Sequence, residues 1–174
     1  MSGITVRDLA EGDLEWAASV LDAELAGRWQ ARRGELVDVL ALPGLVAELE
    51  GRRVGLLAYR LENASCEIEA LIATTPGMGI GTALVGELRR RTGDVPIRVV
   101  TTNDNLPARA FYERHGFRLV AVRPGADDEA RRTLKPTIGL LGARRRADSR
   151  RARIPRRRPK YVAGRSRPPR VERT

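Results

Sequence analysis

Residues 77–84 read GMGIGTAL, with glycine at every second position from 77 to 81 and an apolar run that can begin a helix. Glycine at this density indicates that the backbone turns in a way that side chains forbid, or that a ligand comes close to it. A strand pattern, SCEIEALIA, precedes the stretch, and the helical pattern ALVGELRRR follows with its apolar residues on one side. The sequence therefore predicts a strand, a glycine turn and a helix in this order.

Three kinds of glycine loop compete for this stretch. A dinucleotide-binding fingerprint, G-x-G-x-x-G, requires Gly or Ala where this chain has Thr82 or Leu84. A P-loop requires Gly-Lys-Ser/Thr at its end, and the stretch contains no lysine. Two interpretations remain: a turn whose amides and helix dipole bind a phosphate-bearing ligand, or a tight turn without a ligand.

Patterns on both sides of the turn indicate a mixed sheet. Before it, the sequence predicts a strand at 3–9, a helix from Asp13, a weaker helix at 31–41, and an antiparallel meander of LVAELE, VGLLAYRLE and SCEIEALIA. After it come the strand PIRVVTT, the helix LPARAFYERHG and the strand FRLVAVRP. This order predicts a single α/β or α+β domain with a mostly antiparallel sheet flanked by helices.

The charge of the chain is divided unevenly. The 174 residues carry a net charge of +10, but residues 144–174 alone hold 13 Arg and Lys160 against Asp148 and Glu172, a net charge of +12. The remaining residues therefore have a net charge of −2. A mildly acidic domain with a hydrophobic content typical of a packed core thus precedes a strongly basic segment.

Cysteine and histidine counts restrict the chemistry. Cys66 is the single cysteine of the chain and His115 its single histidine. An internal disulfide and a zinc site made of cysteines are therefore excluded, and we expect no bound metal. We expect Cys66 to be a buried apolar residue and His115 to end a helix. No apolar run approaches the roughly 18 residues of a membrane span, and the start MSGITVRDLAEGD lacks a signal-peptide pattern. The sequence predicts a cytoplasmic protein without a membrane partner.

A second motif begins at Asn105, 24 residues after Gly81. Residues 101–117 read TTNDNLPARAFYERHGF, in which Asn105, Ala108, Tyr112 and the pair Gly116-Phe117 follow at fixed intervals. Together the two motifs resemble the GNAT superfamily of acyl-CoA-dependent N-acetyltransferases. The resemblance covers residues 3–137 and implies a GNAT-like sheet with splayed parallel strands at the cofactor site.

The resemblance also implies an acetyl-CoA site. In the family, the strand before the glycine turn and the strand after the next helix splay apart, and the pantetheine arm pairs with their free backbone groups. The diphosphate is held by the amides of the glycine turn, and Asn105 anchors the cofactor at the mouth of the splay. The expected cofactor-binding residues are Leu71, Ile72, Ala73, Gly77, Met78, Gly79, Ile80, Gly81, Thr82, Asn105 and Tyr112.

The same resemblance assigns the chemistry. It implies direct transfer of an acetyl group from acetyl-CoA to a primary amine in a ternary complex, with Tyr112 as the general acid that protonates the thiolate. Glu67 and Glu69 are the candidates for the general base, because residues two apart on a strand share a face, and the family pattern favours Glu67. The alternatives are a core role for Tyr112 and a solvent-facing role for both glutamates.

Other functional questions stay open at this level. The acceptor, a small molecule or a protein amine, and the oligomeric state, including a homodimer, are not fixed by any motif. A second candidate function is an acyl-CoA-binding domain with weak or no catalysis, whose basic tail binds nucleic acid.

The resemblance ends near Gly139, which divides the chain into two predicted parts. Residues 1–139 are the acetyltransferase domain, without the final strand expected beside FRLVAV, and residues 140–174 are an Arg/Pro-rich tail predicted to be disordered. One interpretation is that residues 144–174 bind nucleic acid through phosphate contacts. The other, which we favour because the change begins where a strand is needed, is a shift of reading frame near residue 140. In that case FRLVAV has an unpaired edge.

Overall fold

The computed structural model of the chain describes residues 3–32, 35–102, 105–123 and 160–164. Its helices are α1 (Leu14–Leu25), α2 (Ile80–Thr92) and α3 (Leu106–Arg114). Its strands are β1 (Thr5–Asp8), β2 (Trp29–Arg32), β3 (Glu35–Asp38), β4 (Gly44–Leu49), β5 (Arg52–Glu62), β6 (Ser65–Ala73), β7 (Ile97–Thr102), β8 (Arg118–Arg123) and β9 (Lys160–Gly164). Short 3-10 turns at Glu11–Asp13 and Val39–Ala41 precede α1 and β4.

Seven of these strands form one sheet in the order β1-β4-β5-β6-β7-β9-β8, and β2 and β3 form a separate hairpin. All neighbours in the large sheet are antiparallel except β6 and β7, which are parallel. Because α2 connects β6 to β7, the parallel pair arises from a strand–helix–strand crossover. The predicted fold class, the meander β4–β5–β6 and the strand, glycine turn and helix are confirmed.

Two apolar clusters hold helices against the sheet. One contains Leu57, Ile68 and the α2 residues Ile80, Leu84 and Leu88, together with residues of β7 and α3. The other joins α1 to the alternate residues of β5 and β6, with Ala17, Leu21, Leu56, Ala58, Ala70 and Ile72 buried. Since neighbouring residues of a strand point to opposite faces, the two clusters lie on opposite sides of the sheet.

Glycine at position 55 lets α2 lie directly on β5. A Cβ at Gly55 would stand 2.4 Å from Ile80 Cγ2 and 3.0 Å from Leu84 Cδ1, closer than side-chain packing allows. This contact fixes the first turn of α2, where the glycine turn ends. The importance of Gly55 does not follow from its position in the sequence, because its neighbours on α2 are distant in the chain.

A polar network, here called the Asp13 cluster, links the start of α1 to β1, β4 and β5. Asp13 is buried, and its carboxylate accepts from Arg7 Nη1 at 2.6 Å, from Arg53 Nη1 at 3.3 Å and from the Ala10 N–H at 2.9 Å. Arg7 also contacts Glu48 Oε1 at 2.6 Å. The hydrogen bond from Arg7, which stabilises the ionised form, lowers the pKa of Asp13 to about 2.

The helix predicted at 31–41 is wrong. Trp29–Arg32 and Glu35–Asp38 pair as an antiparallel hairpin, and a 3-10 turn follows. Asp38 accepts from Arg28 Nε at 2.8 Å across the hairpin and from the Leu40 N–H at 3.1 Å. It therefore stabilises both the hairpin and the 3-10 turn that follows. The spacing of apolar residues in this stretch fits a short helix and a strand equally well. The strand pairing and the contact between Arg28 and Asp38 stabilise the hairpin.

The expectation that no strand follows residue 139 is also wrong. Lys160–Gly164 forms β9, which lies between β7 and β8 and is antiparallel to both. The space between β7 and β8 is one strand wide, and the backbone donors and acceptors on both sides of it need partners. The short segment that contains Tyr161 and Val162, residues that favour strands, pairs with both. The edge of β8 that faces β7 is therefore paired. A shift of reading frame is no longer needed to explain a missing strand beside FRLVAV.

The rest of the basic tail, 140–159 and 165–174, lies outside the described residues. The domain boundary near residue 139 and the nucleic-acid interpretation of the tail therefore stay predictions. The same applies to the cytoplasmic location and to the oligomeric state.

Neither a membrane span nor a metal-binding cluster is found in the described part of the chain. Within those residues, each helix is too short or too polar to cross a bilayer. The same ranges contain no group of three or more His, Cys, Asp or Glu residues arranged to hold a metal ion.

Candidate functional site

The parallel strands β6 and β7 pair over only three residues. Cys66, Glu67 and Ile68 stand opposite Ile97, Arg98 and Val99, and the pairing stops there although β6 continues to Ala73 and β7 to Thr102. Beyond this point the other edge of β7 is occupied by β9. The strands therefore leave a gap between their carboxyl ends, and the predicted splay is confirmed.

A β-bulge explains why the gap opens where it does. Ala58 and Tyr59 of β5 stand opposite Ala70 and Ile68, which leaves Glu69 of β6 without an opposite residue. An extra residue of this kind bends its strand and increases the local twist. The pairing with β7 ends at Ile68, directly before the bulge, so β6 turns away from β7 at Glu69.

Beyond the bulge, alternate residues of β6 direct their backbone groups into the gap. The Thr74 N–H donates to the Val54 carbonyl oxygen at 2.9 Å, and in an antiparallel pair every second residue points its N–H and C=O towards the partner strand. Ile72 shares this direction, whereas Leu71 and Ala73 point their backbone groups away from β5. Of the three residues expected along a pantetheine arm, two thus face the gap with their backbone.

The glycine turn leaves three N–H groups of α2 without an acceptor in the helix. Gly77 and Gly79 have φ angles of +82° and +78°, which favour glycine, and no atom lies within 4 Å of a Cβ built at either position. The first helical bond joins the Ala83 N–H to the Gly79 carbonyl oxygen at 2.9 Å, so the N–H groups of residues 80–82 precede the hydrogen-bonded part of the helix. Met78 is exposed beside them. This open arrangement suits an anionic group.

Gly81 has a different role from Gly77 and Gly79. A Cβ at Gly81 would lie 3.1 Å from two atoms of the Phe111 ring, so this glycine allows α2 and α3 to pack closely. Space for a ligand is therefore left at Gly77 and Gly79, while at Gly81 the Cβ position faces α3. The Ile80 side chain is likewise buried in the core, which leaves its N–H as the group that can serve a ligand.

Asn105 begins α3 and is exposed. Its side-chain oxygen accepts from the Ala108 N–H at 3.2 Å, as expected of a residue that caps a helix N-terminus. The capping bond uses the carbonyl oxygen and leaves the side-chain N–H groups for other partners. Its contact with a cofactor stays a prediction.

Tyr112 lies in the core cluster on the α2 side of the sheet. Its ring makes edge-to-face contacts with Phe111 and Phe117, with centroid distances of 5.3 and 5.2 Å. The side chains of Leu71 and Ala73 pack against the same cluster. Tyr112 therefore has the core position considered as an alternative, within the cluster that borders the gap, and its general-acid role stays a prediction.

Glu67 and Glu69 are both buried, so the interpretation that they form a solvent-facing strand surface is wrong. Arg60 of β5 stands opposite Glu67, and its Nη2 lies 3.1 Å from Glu69 Oε1. Glu67 therefore shares a face of the sheet with Arg60, and Glu69 reaches the guanidinium of the same arginine through its ion pair. The hairpin reaches this group through Glu35, whose Oε2 lies 4.0 Å from Arg60 Nη1.

Cys66 lies at the closed end of the gap and is fully buried. Its N–H donates to the Pro96 carbonyl oxygen at 2.8 Å. Burial, with a smaller effect of the Glu67 charge, raises the pKa of the Cys66 thiol to about 11. A thiol in this state is a poor nucleophile, which agrees with the apolar role expected for it.

These features define a class of site: a gap between parallel strands beside free amides at a helix N-terminus, which can hold an extended ligand that carries phosphate. Residues 43–119 match the family model of the acetyltransferase (GNAT) domain. This part of the chain contains the gap, the glycine turn and the second motif, so the family match and the site coincide, and the resemblance seen in the sequence is confirmed.

Two relatives and several solved structures are similar to the chain. It is 39% identical over 101 residues to YdhI and 42% identical over 91 residues to YxbD, both uncharacterized proteins of Bacillus subtilis (strain 168). The matched segments are 56% and 51% of this chain and 62% and 57% of those relatives, so the chain spans about six tenths of their length.

The similarity to solved structures concerns the fold. Naa50 of Arabidopsis thaliana, solved with the bisubstrate analogue CoA-Ac-MVNAL, superposes with a TM-score of 0.62 at 17% identity, covering 94% of this chain and 98% of that one. The putative acetyltransferase yncA of Salmonella typhimurium, solved with its cofactor acetyl-CoA, gives a TM-score of 0.60 at 17% identity, covering 92% of each chain.

Proposed function

We propose that the chain is an N-acetyltransferase that uses acetyl-CoA as acyl donor and a primary amine as acceptor. The observation that carries this proposal is the β6–β7 register, which stops after three pairs beside a glycine turn. A gap of this shape offers backbone partners along its length and anion-binding N–H groups at its end. We propose the cytoplasm as the place where the enzyme acts.

The described residues fit acetyl-CoA at three points. The backbone groups of Leu71 and Ala73 point into the gap, where an amide-bearing pantetheine arm can pair with them as an added strand. The free N–H groups of residues 80–82 can hold the diphosphate at the positive end of α2. The side-chain N–H groups of Asn105 remain available for a carbonyl group of the arm.

Bound acetyl-CoA supplies an acetyl group activated as a thioester. In the proposed reaction the acceptor nitrogen forms a C–N bond with the carbonyl carbon and the C–S bond breaks. Glu67 or Glu69, directly or through a water molecule, takes the proton that the nitrogen loses, and the Tyr112 hydroxyl gives a proton to the sulfur. The Leu71 N–H, which points into the gap while that of Ile72 is directed at β5, stabilises the oxyanion that forms between these events.

Glu69 is paired with Arg60 of β5, and Glu67 stands opposite the same arginine in the strand register. We propose Glu67 as the base, the residue that the family pattern favours. The acceptor itself, a small molecule, a peptide or a protein, is left open by the proposal.

The test combines binding and turnover with one variant. We expect acetyl-CoA to bind the full chain with micromolar affinity in calorimetry, and a panel of amines to contain at least one that releases free CoA. Tyr112→Phe should keep the affinity within about twofold and lower kcat about 10²-fold or more, as loss of a general acid does. Absence of binding heat would remove the proposal, and unchanged kcat would remove Tyr112 from the reaction.

A further inference from the structure

One contact beside the glycine turn has no part in the steps above. Thr82 Oγ1 lies 2.9 Å from His115 Nε2, and His115 Nδ1 lies 2.7 Å from the Phe111 carbonyl oxygen. The imidazole also packs on the Phe111 ring, with 4.2 Å between the ring centroids. His115 is thus held at both nitrogens, between the backbone of α3 and the third residue of α2.

The two partners fix the direction of each proton. A carbonyl oxygen only accepts, so His115 Nδ1 carries a hydrogen in either charge state. In the neutral imidazole, Nε2 is then an acceptor, and the Thr82 hydroxyl must donate its single proton to it. In the imidazolium form, Nε2–H donates to Thr82 Oγ1, and the hydroxyl proton is free to point elsewhere.

The Thr82 hydroxyl is placed to serve the same ligand as the free amides. Thr82 is exposed and belongs to the first turn of α2, and helix side chains tilt towards the N-terminus. With neutral His115 the hydroxyl offers a diphosphate only lone pairs. With protonated His115 it offers a donor, backed by a positive charge one hydrogen bond away.

We propose that His115 is a positioning residue that makes Thr82 a donor to the diphosphate of the acyl-CoA when the imidazole is protonated. This inference rests on the proposed function, because it assigns the ligand of the glycine turn. Binding and protonation are then linked, so the ligand binds more tightly as pH falls through the range of about 5 to 8 in which histidine side chains titrate.

Charged groups around the imidazole set the size of the effect. From α2, Arg89 donates to the His115 carbonyl oxygen, and its guanidinium lies over the Phe117 ring at 5.3 Å. On its own helix His115 follows Glu113 and Arg114, and Arg118 begins β8. A bound diphosphate adds negative charge beside these groups.

The probe for the test is 3′-dephospho-CoA, because its diphosphate stays ionised from pH 5.5 to 8.5 while a terminal phosphate would titrate. Calorimetry on the full chain without a histidine tag should give an affinity about fivefold to tenfold higher at pH 5.5 than at pH 8.5, the size of one typical net hydrogen bond. His115→Phe, which keeps the ring on Phe111, and Thr82→Val should each remove this dependence. Thr82→Ser, which keeps the hydroxyl, should retain it.

A second readout reports on the proton itself. His115 is the single histidine of the chain, so its ring resonances in NMR need no further assignment. We expect saturating 3′-dephospho-CoA to move the titration midpoint of these resonances to higher pH in the wild type, and not in Thr82→Val.

The outcomes separate the inference from the proposed function. Binding that is independent of pH in the wild type, or a pH dependence that persists in His115→Phe, would overturn the role of His115 and leave the acyl-CoA site intact. Absence of binding in every variant at every pH would overturn both.

Discussion

Two regions of this molecule hold polar groups against the apolar core, and they differ in what satisfies those groups. In the Asp13 cluster, the buried carboxylate receives Arg7, Arg53 and the Ala10 N–H, all from the chain itself. In the gap, the backbone groups of Leu71 and Ala73 and the N–H groups of residues 80–82 point away from partners in their own elements. The first arrangement stabilises the fold, and the second reserves hydrogen bonds for a ligand.

The largest effect that would sharpen this comparison is expected at Gly79. Valine there must adopt a φ of +78° and places a Cβ on the open side of the turn, which keeps a diphosphate from the α2 amides. We expect Gly79→Val to lower the acetyl-CoA affinity by about 30-fold or more, the equivalent of one or two hydrogen bonds to a charged group. Calorimetry measures this directly.

Gly51 is a matched control for that substitution. It has a φ of +74°, no atom within 4 Å of its Cβ position, and a place in the β4–β5 turn on the side of the Asp13 cluster. Gly51→Val should therefore introduce similar backbone strain, about 1 to 2 kcal/mol, without affecting the ligand. Equal losses of affinity in the two variants would show that strain, and not the gap, controls binding.

A smaller effect is expected from the Asp13 cluster, and on stability alone. The folded pKa of Asp13 is about 2, below its unfolded value of 3.8, so its contribution is full above the unfolded pKa and is lost as pH falls through 2. We expect Asp13→Asn to lower the unfolding free energy by about 1 to 2 kcal/mol at neutral pH, allowing for the exposure of Arg7. Its stability should also vary less than that of the wild type between pH 4 and 2.

Urea unfolding at several pH values tests this, with Asp8→Asn as the control. Asp8 is paired with Arg91 but largely exposed, so its removal should change the unfolding free energy far less. Both variants should bind acetyl-CoA as the wild type does. A loss of affinity in Asp13→Asn comparable to that of Gly79→Val would contradict the separation of the two regions.

The parts of the fold that were predictable are those whose patterns are local. The meander, the strand before the glycine turn and α2 each have a hydrophobic period and a turn signal within about ten residues. The splay of β6 and β7 was predicted through the resemblance to a family. Its local cause, the bulge at Glu69, leaves no mark in the sequence, because it depends on how β5 pairs.

The features that were missed depend on contacts between distant residues. The hairpin at 29–38 is held by the Arg28–Asp38 pair, and β9 is defined by strands β7 and β8 more than by its own composition. The contact of Thr82 with His115 joins residues 33 positions apart. Glycine is required at position 55 because the Ile80 side chain occupies the space that a Cβ would need. A pattern read along the chain contains no signal for such pairs.

The most direct test of the central claim is amide hydrogen exchange of β6, resolved residue by residue, with and without acetyl-CoA. We expect the N–H groups of Leu71 and Ala73 to exchange freely in the unliganded protein and at least about tenfold more slowly with saturating acetyl-CoA. The N–H groups of Ile72 and Thr74, which face β5, should be protected in both states. Equal protection of Leu71 and Ala73 without the ligand, or no change at saturation, would contradict it.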